Sequence, residues 1–168
     1  MKLRANILDV LEEGLPVYNV QTDTEVFNLG KKIQKKGFAN IEELRIFSDW
    51  KSPRIRKHIL SNENEIISEV TRDVLRSKSE YLHIGALLLL KGVSYPVASA
   101  FLHFCHKTKY PIIDYRALWT LGYDETPKYC VNFWLSYVNF TRKLAMKNNL
   151  DMRTLDRALW GYSKKYQD

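Results

Sequence analysis

Apolar residues recur along this chain at helical spacing, in blocks divided by helix-start and helix-stop signals. Thr22-Asp23-Thr24-Glu25 has the form of a capping box and predicts a helix running to Lys36, stopped by Gly37. Asn40-Ile41-Glu42-Glu43 repeats that signal ahead of Leu44, Phe47 and Ser48, and Pro53 ends the block. Asn62 to Glu65 opens a helix with Ile66, Ile67, Val70, Val74 and Leu75 on one face. Ser77 to Glu80 opens the next, apolar almost throughout from Leu82 to Leu90, which predicts a helix buried on all sides. A helix is expected over 98–106, and Pro111 breaks the pattern. Another begins at or just after Asp114 and ends near Gly122. Thr126-Pro127 places an N-cap before a proline and predicts a helix from there to Lys147. Asp151 starts the last, with Met152, Leu155, Leu159 and Trp160 on one buried face, and Trp134 is assigned to the core as well. No segment alternates persuasively as a strand would, and no repeat or low-complexity linker interrupts the chain. The expectation is an all-α fold of eight to ten helices in a single domain, 1–168.

Composition narrows the class. The 168 residues are 45% hydrophobic and 27% charged, which suits a globular domain able to bury a core without staples. Cys105 and Cys130 are the only cysteines and form no CxxC pair or Cys/His cluster. Neither a zinc site nor an iron–sulfur cluster is therefore expected, and both thiols should be free in a reducing compartment. His83, His103 and His106 are not spaced as ligands on one helix, so they read as core or surface residues. The start of the chain lacks a signal-peptide core, and Ile84 to Leu90 is too short to span a membrane. The chain is expected to be a soluble, cytoplasmic monomer that needs no cofactor. Its net charge is +7, which fits a polyanionic partner without requiring one.

Leu90-Lys91-Gly92-Val93-Ser94-Tyr95-Pro96-Val97-Ala98-Ser99-Ala100 is the most informative stretch. One helix ends, a glycine turns the chain, and a second helix starts with small residues that permit close packing. N–H groups at such a turn, helped by the helix dipole, favour an anionic oxygen. This segment resembles the hairpin of the helix-hairpin-helix, endonuclease III-like DNA glycosylase superfamily, whose motif runs Leu-Pro-Gly-Val-Gly followed by two residues, a small residue and Ala. Tyr110-Pro111-Ile112-Ile113-Asp114-Tyr115-Arg116 is similar to the superfamily's downstream turn, which ends in a catalytic Asp. Bifunctional members carry a lysine nucleophile eighteen positions before that Asp; here the position is Pro96. Ser94 stands where the second hairpin glycine usually lies. Further blocks around Trp50–Arg54, Ile113–Ala117 and Leu155–Trp160 resemble a bacterial branch of the superfamily.

The resemblance implies a monofunctional glycosylase that binds double-stranded DNA in a groove between two helical halves. One half would hold the middle helices, the other the N-terminal segment and the last helices. The hairpin would lie at about 82–106 and the catalytic turn at 110–116. Lys91, Gly92, Val93 and Ser94 would hold a phosphate, with Arg116, Lys51 and Arg54 as further phosphate ligands. Breaking an N-glycosidic bond builds positive charge on the sugar, and Asp114 is the carboxylate that could stabilise it. A base extruded from the stack needs aromatic walls, for which Tyr115, Trp119, Trp50 and Tyr18 are candidates. Arg116 could equally hold Asp114 ionised.

Each feature has a plainer reading. Asp114 precedes Tyr115-Arg116-Ala117-Leu118 and is also placed as a helix N-cap, a role compatible with catalysis. Gly92 is also placed as a helix-terminating glycine. Lys31, Lys32, Lys35 and Lys36 form a solvated face. Lys51, Arg54, Arg56, Lys57 and His58 crowd a proline-broken connection, either as phosphate contacts or as basic surface. Two rival functions follow: a noncatalytic helix-hairpin-helix DNA-binding module, and a helical adaptor for an acidic protein partner.

Overall fold

The computed structural model describes residues 1–167, and among them the ordered elements are all helical. The ten α-helices are α1 Ile7–Gly14, α2 Thr24–Lys36, α3 Ile41–Lys51, α4 Arg56–Leu60, α5 Asn64–Arg76, α6 Glu80–Leu87, α7 Tyr95–Cys105, α8 Tyr115–Thr120, α9 Val131–Lys147 and α10 Met152–Tyr166. No helix among the described residues is long and apolar enough to cross a membrane.

The chain divides into two compact units, Met1–Val20 with Pro111–Asp168, and Gln21–Tyr110. In the first, α10 is the central element: α1, α8 and α9 all pack on it. Its core includes Val10, Leu118, Trp134, Tyr137, Val138, Leu155 and Leu159. Helices α1 and α10 touch backbone to backbone, because a Cβ on either Gly14 or Gly161 would strike main-chain atoms of the other helix. The N-terminal segment lies along the end of α8, with Lys2 N donating to Leu121 O and Arg4 N to Thr120 O, each at 3.0 Å. In the second unit α7 packs against α2, α3 and α6, and α3 also packs on α4 and α5. Phe47 and Phe101 meet edge to face at 5.6 Å in its core, beside Ile33, Leu44, Ile59 and Leu87.

Helix boundaries follow local chemistry in most places. Asn40 and Glu43 form the reciprocal capping box expected of them. Asp151 caps α10 through the Arg153 and Thr154 N–H groups, and Gly37 and Gly122 end helices at φ 86° and 88°. Four expectations fail in α2, α5, α6 and α9. Thr22–Glu25 lies at the start of a helix, but the N-cap of α2 is Asp23, whose side chain makes no cap hydrogen bond to the first turn. Thr126-Pro127 does not start a helix: α9 begins at Val131, where Cys130 Sγ accepts the Phe133 N–H at 3.5 Å. The 82–90 block is not buried all round, since α6 ends at Leu87 and Tyr81, Leu82 and Leu89 face solvent. Ile66 is likewise exposed, because the buried stripe of α5 runs through Ile67, Thr71 and Val74.

Candidate nucleic-acid interface

The hairpin lies between α6 and α7 in the second unit. Gly92 takes φ +81°, and a Cβ there would lie 2.8 Å from His58 Cβ and 3.2 Å from the Ile59 N. Glycine is thus required twice, for the left-handed backbone and for the close approach of α4. Asn62 fastens the two together: its Oδ1 accepts the Lys91 N–H at 2.8 Å, and its Nδ2 donates to Lys91 O at 3.0 Å, His58 O at 3.1 Å and Ile59 O at 2.9 Å. The basic connection and the hairpin, distant in sequence, are therefore neighbours. Arg54, Lys57, His58 and Lys91 are all exposed there, while Lys51 is half-buried and Arg56 bonds Asp49.

Of the four hairpin residues singled out from the sequence, two have their N–H groups engaged. Lys91 donates to Asn62, and Val93, whose side chain is buried, donates to Leu90 O at 3.1 Å. The Gly92 and Ser94 N–H groups donate to no other described residue.

Asp114 lies in the first unit and is 9% exposed. Its Oδ1 accepts the Ala117 N–H at 2.9 Å, so it is the N-cap of α8. The extended segment leading to it is held from both sides. Asp156 accepts the Ile112 N–H, and the Tyr137 hydroxyl donates to Ile112 O at 2.9 Å. Burial, together with the Asp114 charge, pushes the Tyr129 hydroxyl up to about 12. Tyr137, wholly buried and close to Asp156 and Asp114, is raised well above its ordinary value for the same reasons. Both tyrosines therefore remain protonated throughout the neutral range.

The candidate base-pocket residues are divided between the two units, with Tyr18, Tyr115 and Trp119 in the first and Trp50 in the second. Trp119 is covered by Arg4, whose guanidinium lies 4.4 Å from the ring centre and donates to Trp119 O at 2.5 Å. Trp50 belongs to the second unit, packs edge-on to Phe104 at 5.3 Å and donates to Thr22 O at 3.1 Å. Tyr18 and Tyr115 are joined by a residue assigned to the core from sequence, Trp160, which is half-buried. Tyr18 meets Trp160 edge to face at 5.4 Å, and the Arg116 guanidinium lies 5.6 Å from the Trp160 ring and 5.0 Å from Tyr115. Arg153 and Arg157 lie over Tyr18 at 5.1 and 5.7 Å. Arg116 Nη1 is buried without a hydrogen-bond acceptor.

Sequence reasoning missed Asn62, Asp156 and Tyr137, whose roles depend on contacts across the fold. Arg153, Arg157 and Trp160 were accessible in principle: the spacings of four and three place them on one stripe of α10. His83 and His106 are buried with ring centres 4.4 Å apart, and no metal-binding group of His, Cys, Asp and Glu occurs among the described residues. Compared with protein-family models, curated proteins and solved structures, the chain matches none.

Proposed function

We propose that this chain is a DNA-binding protein that acts as a monofunctional DNA glycosylase. The Gly92 hairpin holds a backbone phosphate on the Gly92 and Ser94 N–H groups, with Lys91, Arg54, Lys57 and His58 supplying positive charge around it. Asp114 acts at the sugar of an extruded nucleotide. As the bond from C1′ to the base nitrogen breaks, its electron pair leaves with the base, and the carboxylate stabilises the cationic sugar. A water oxygen then bonds to C1′, and its proton is passed through solvent to the departing base. Pro96 in place of a lysine leaves no amine for a Schiff base at that position, so strand cleavage is not part of the reaction.

The observation that carries this reading is the immobilisation of Asp114: its own cap bond and the two bonds on Ile112 hold a buried carboxylate in one place. The division of the chain also supports it, since N-terminal and last helices form one unit and the middle helices the other.

A second reading, a DNA-binding module without chemistry, draws on the same residue, because an N-cap alone accounts for a buried Asp at this position. A duplex containing a cationic pyrrolidine abasic-site analogue separates the two. Glycosylase chemistry predicts a preference of ~100-fold over unmodified duplex, lost in Asp114→Asn, because the analogue mimics the charged sugar. Equal affinity for both duplexes leaves only the module.

A further inference from the structure

The first unit carries an alternation of rings and guanidinium groups that neither the hairpin nor Asp114 uses. Tyr18, Trp160, Arg116 and Tyr115 follow one another at 5.4, 5.6 and 5.0 Å, and Arg153 and Arg157 add positive charge at the Tyr18 end. Two features mark this row as more than packing. Arg116 Nη1 is buried without an acceptor, so no internal carboxylate neutralises the guanidinium through it, and the accessible part of this half-buried side chain is left to meet a phosphate oxygen. Tyr115, beside it, is 51% exposed and offers ring surface to solvent.

A single closed pocket suits one extruded base. A series of aromatic and guanidinium planes instead suits successive unstacked nucleotides, whose base faces are free to meet rings while their phosphates meet cations. Bases within a duplex are stacked on one another and offer no such faces.

We propose that Tyr18, Trp160, Arg116 and Tyr115 form a binding strip for single-stranded nucleic acid, with a backbone phosphate on Arg116 and a base on Tyr115. This goes beyond the glycosylase reading and holds whether or not Asp114 is catalytic.

Fluorescence anisotropy of a labelled oligo-dT decamer with the full chain tests it. Binding in the micromolar range is expected, weakened about tenfold in Tyr115→Ala and in Arg116→Gln, and less in Arg116→Lys. Tyr115 is exposed enough that its truncation leaves the fold intact, which circular dichroism checks. A decamer of the same backbone bearing abasic sites should bind about tenfold more weakly than oligo-dT, because it has no bases to stack. An oligo-rU decamer, titrated in parallel, assigns the sugar, and binding of either strand that depends on Tyr115 supports the strip. Equal affinity for the abasic and oligo-dT decamers, or wild-type affinity in both Tyr115→Ala and Arg116→Gln, overturns it. Failure of the pyrrolidine experiment leaves these outcomes unaffected, so the two proposals stand or fall separately.

Discussion

Asp156 accepts the Ile112 N–H with both carboxylate oxygens, each at 3.2 Å, and so ties α10 to the extended segment that ends at Asp114. The bond is buried, and Asp156→Ala leaves a buried N–H without its partner. A loss of about 1.5–3 kcal/mol is expected, the range for a hydrogen bond to a charged group. Urea unfolding measures it. Under the glycosylase reading, preference for the pyrrolidine duplex should fall as well, because Asp114 loses its anchor.

Asn62 makes four hydrogen bonds that hold the hairpin against the end of α4. Asn62→Ala should cost roughly 2 kcal/mol or more in urea, since several backbone groups lose partners at once. Duplex binding should weaken in the same variant at fixed salt, if the Gly92 turn is the phosphate site.

Gly92→Ala should be destabilising by at least about 1 kcal/mol, from the positive φ alone. The clash with His58 Cβ and the Ile59 N adds to this. A thermal melt reads the shift, and an unchanged midpoint would falsify the close approach of α4.

The two thiols should differ in reactivity. Cys105 is buried, and burial, assisted by the nearby Glu43 charge, pushes its thiol well above the ordinary range. Cys130 is exposed. Ellman's reagent should therefore titrate one thiol in the native protein and two in denaturant, and Cys130→Ser should abolish the native signal. Rapid reaction of both native thiols contradicts the burial of α7.

Asp49 introduces a pH dependence. Burial raises its pKa, but hydrogen bonds from Arg56 and Arg45 outweigh that and hold it below the ordinary carboxylate range. A folded-state pKa below the unfolded one contributes stability above the unfolded value, about 3.9, and loses it as pH falls through the folded value. Asp49→Asn should be less stable than wild type at neutral pH, with the difference closing in acid. Parallel melts across that interval decide it, and a constant difference removes Asp49 as its source.

Local signals in the sequence were enough for the all-helical class and for most helix ends, because caps and stops act within one turn. Asn40, Gly37, Gly122 and Asp151 each satisfy a neighbouring backbone group, and their roles are legible from residue type and spacing. Asp114 was legible as a cap for the same reason. The failures have equally local causes. Thr126-Pro127 has the form of a helix start, but α9 begins further on at Val131 under the Cys130 cap, and the apolar 82–90 block conceals a helix end at Leu87. Tertiary structure alone decided that Asn62 grips Lys91, that Asp156 and Tyr137 pin Ile112, and that Trp160 leaves the core to join Tyr18 and Arg116. Those contacts link residues about 25 or more positions apart, with the exact pairs set by helix packing. Hydrophobic periodicity reports which face of a helix turns inward, but it carries no information about which other helix meets that face.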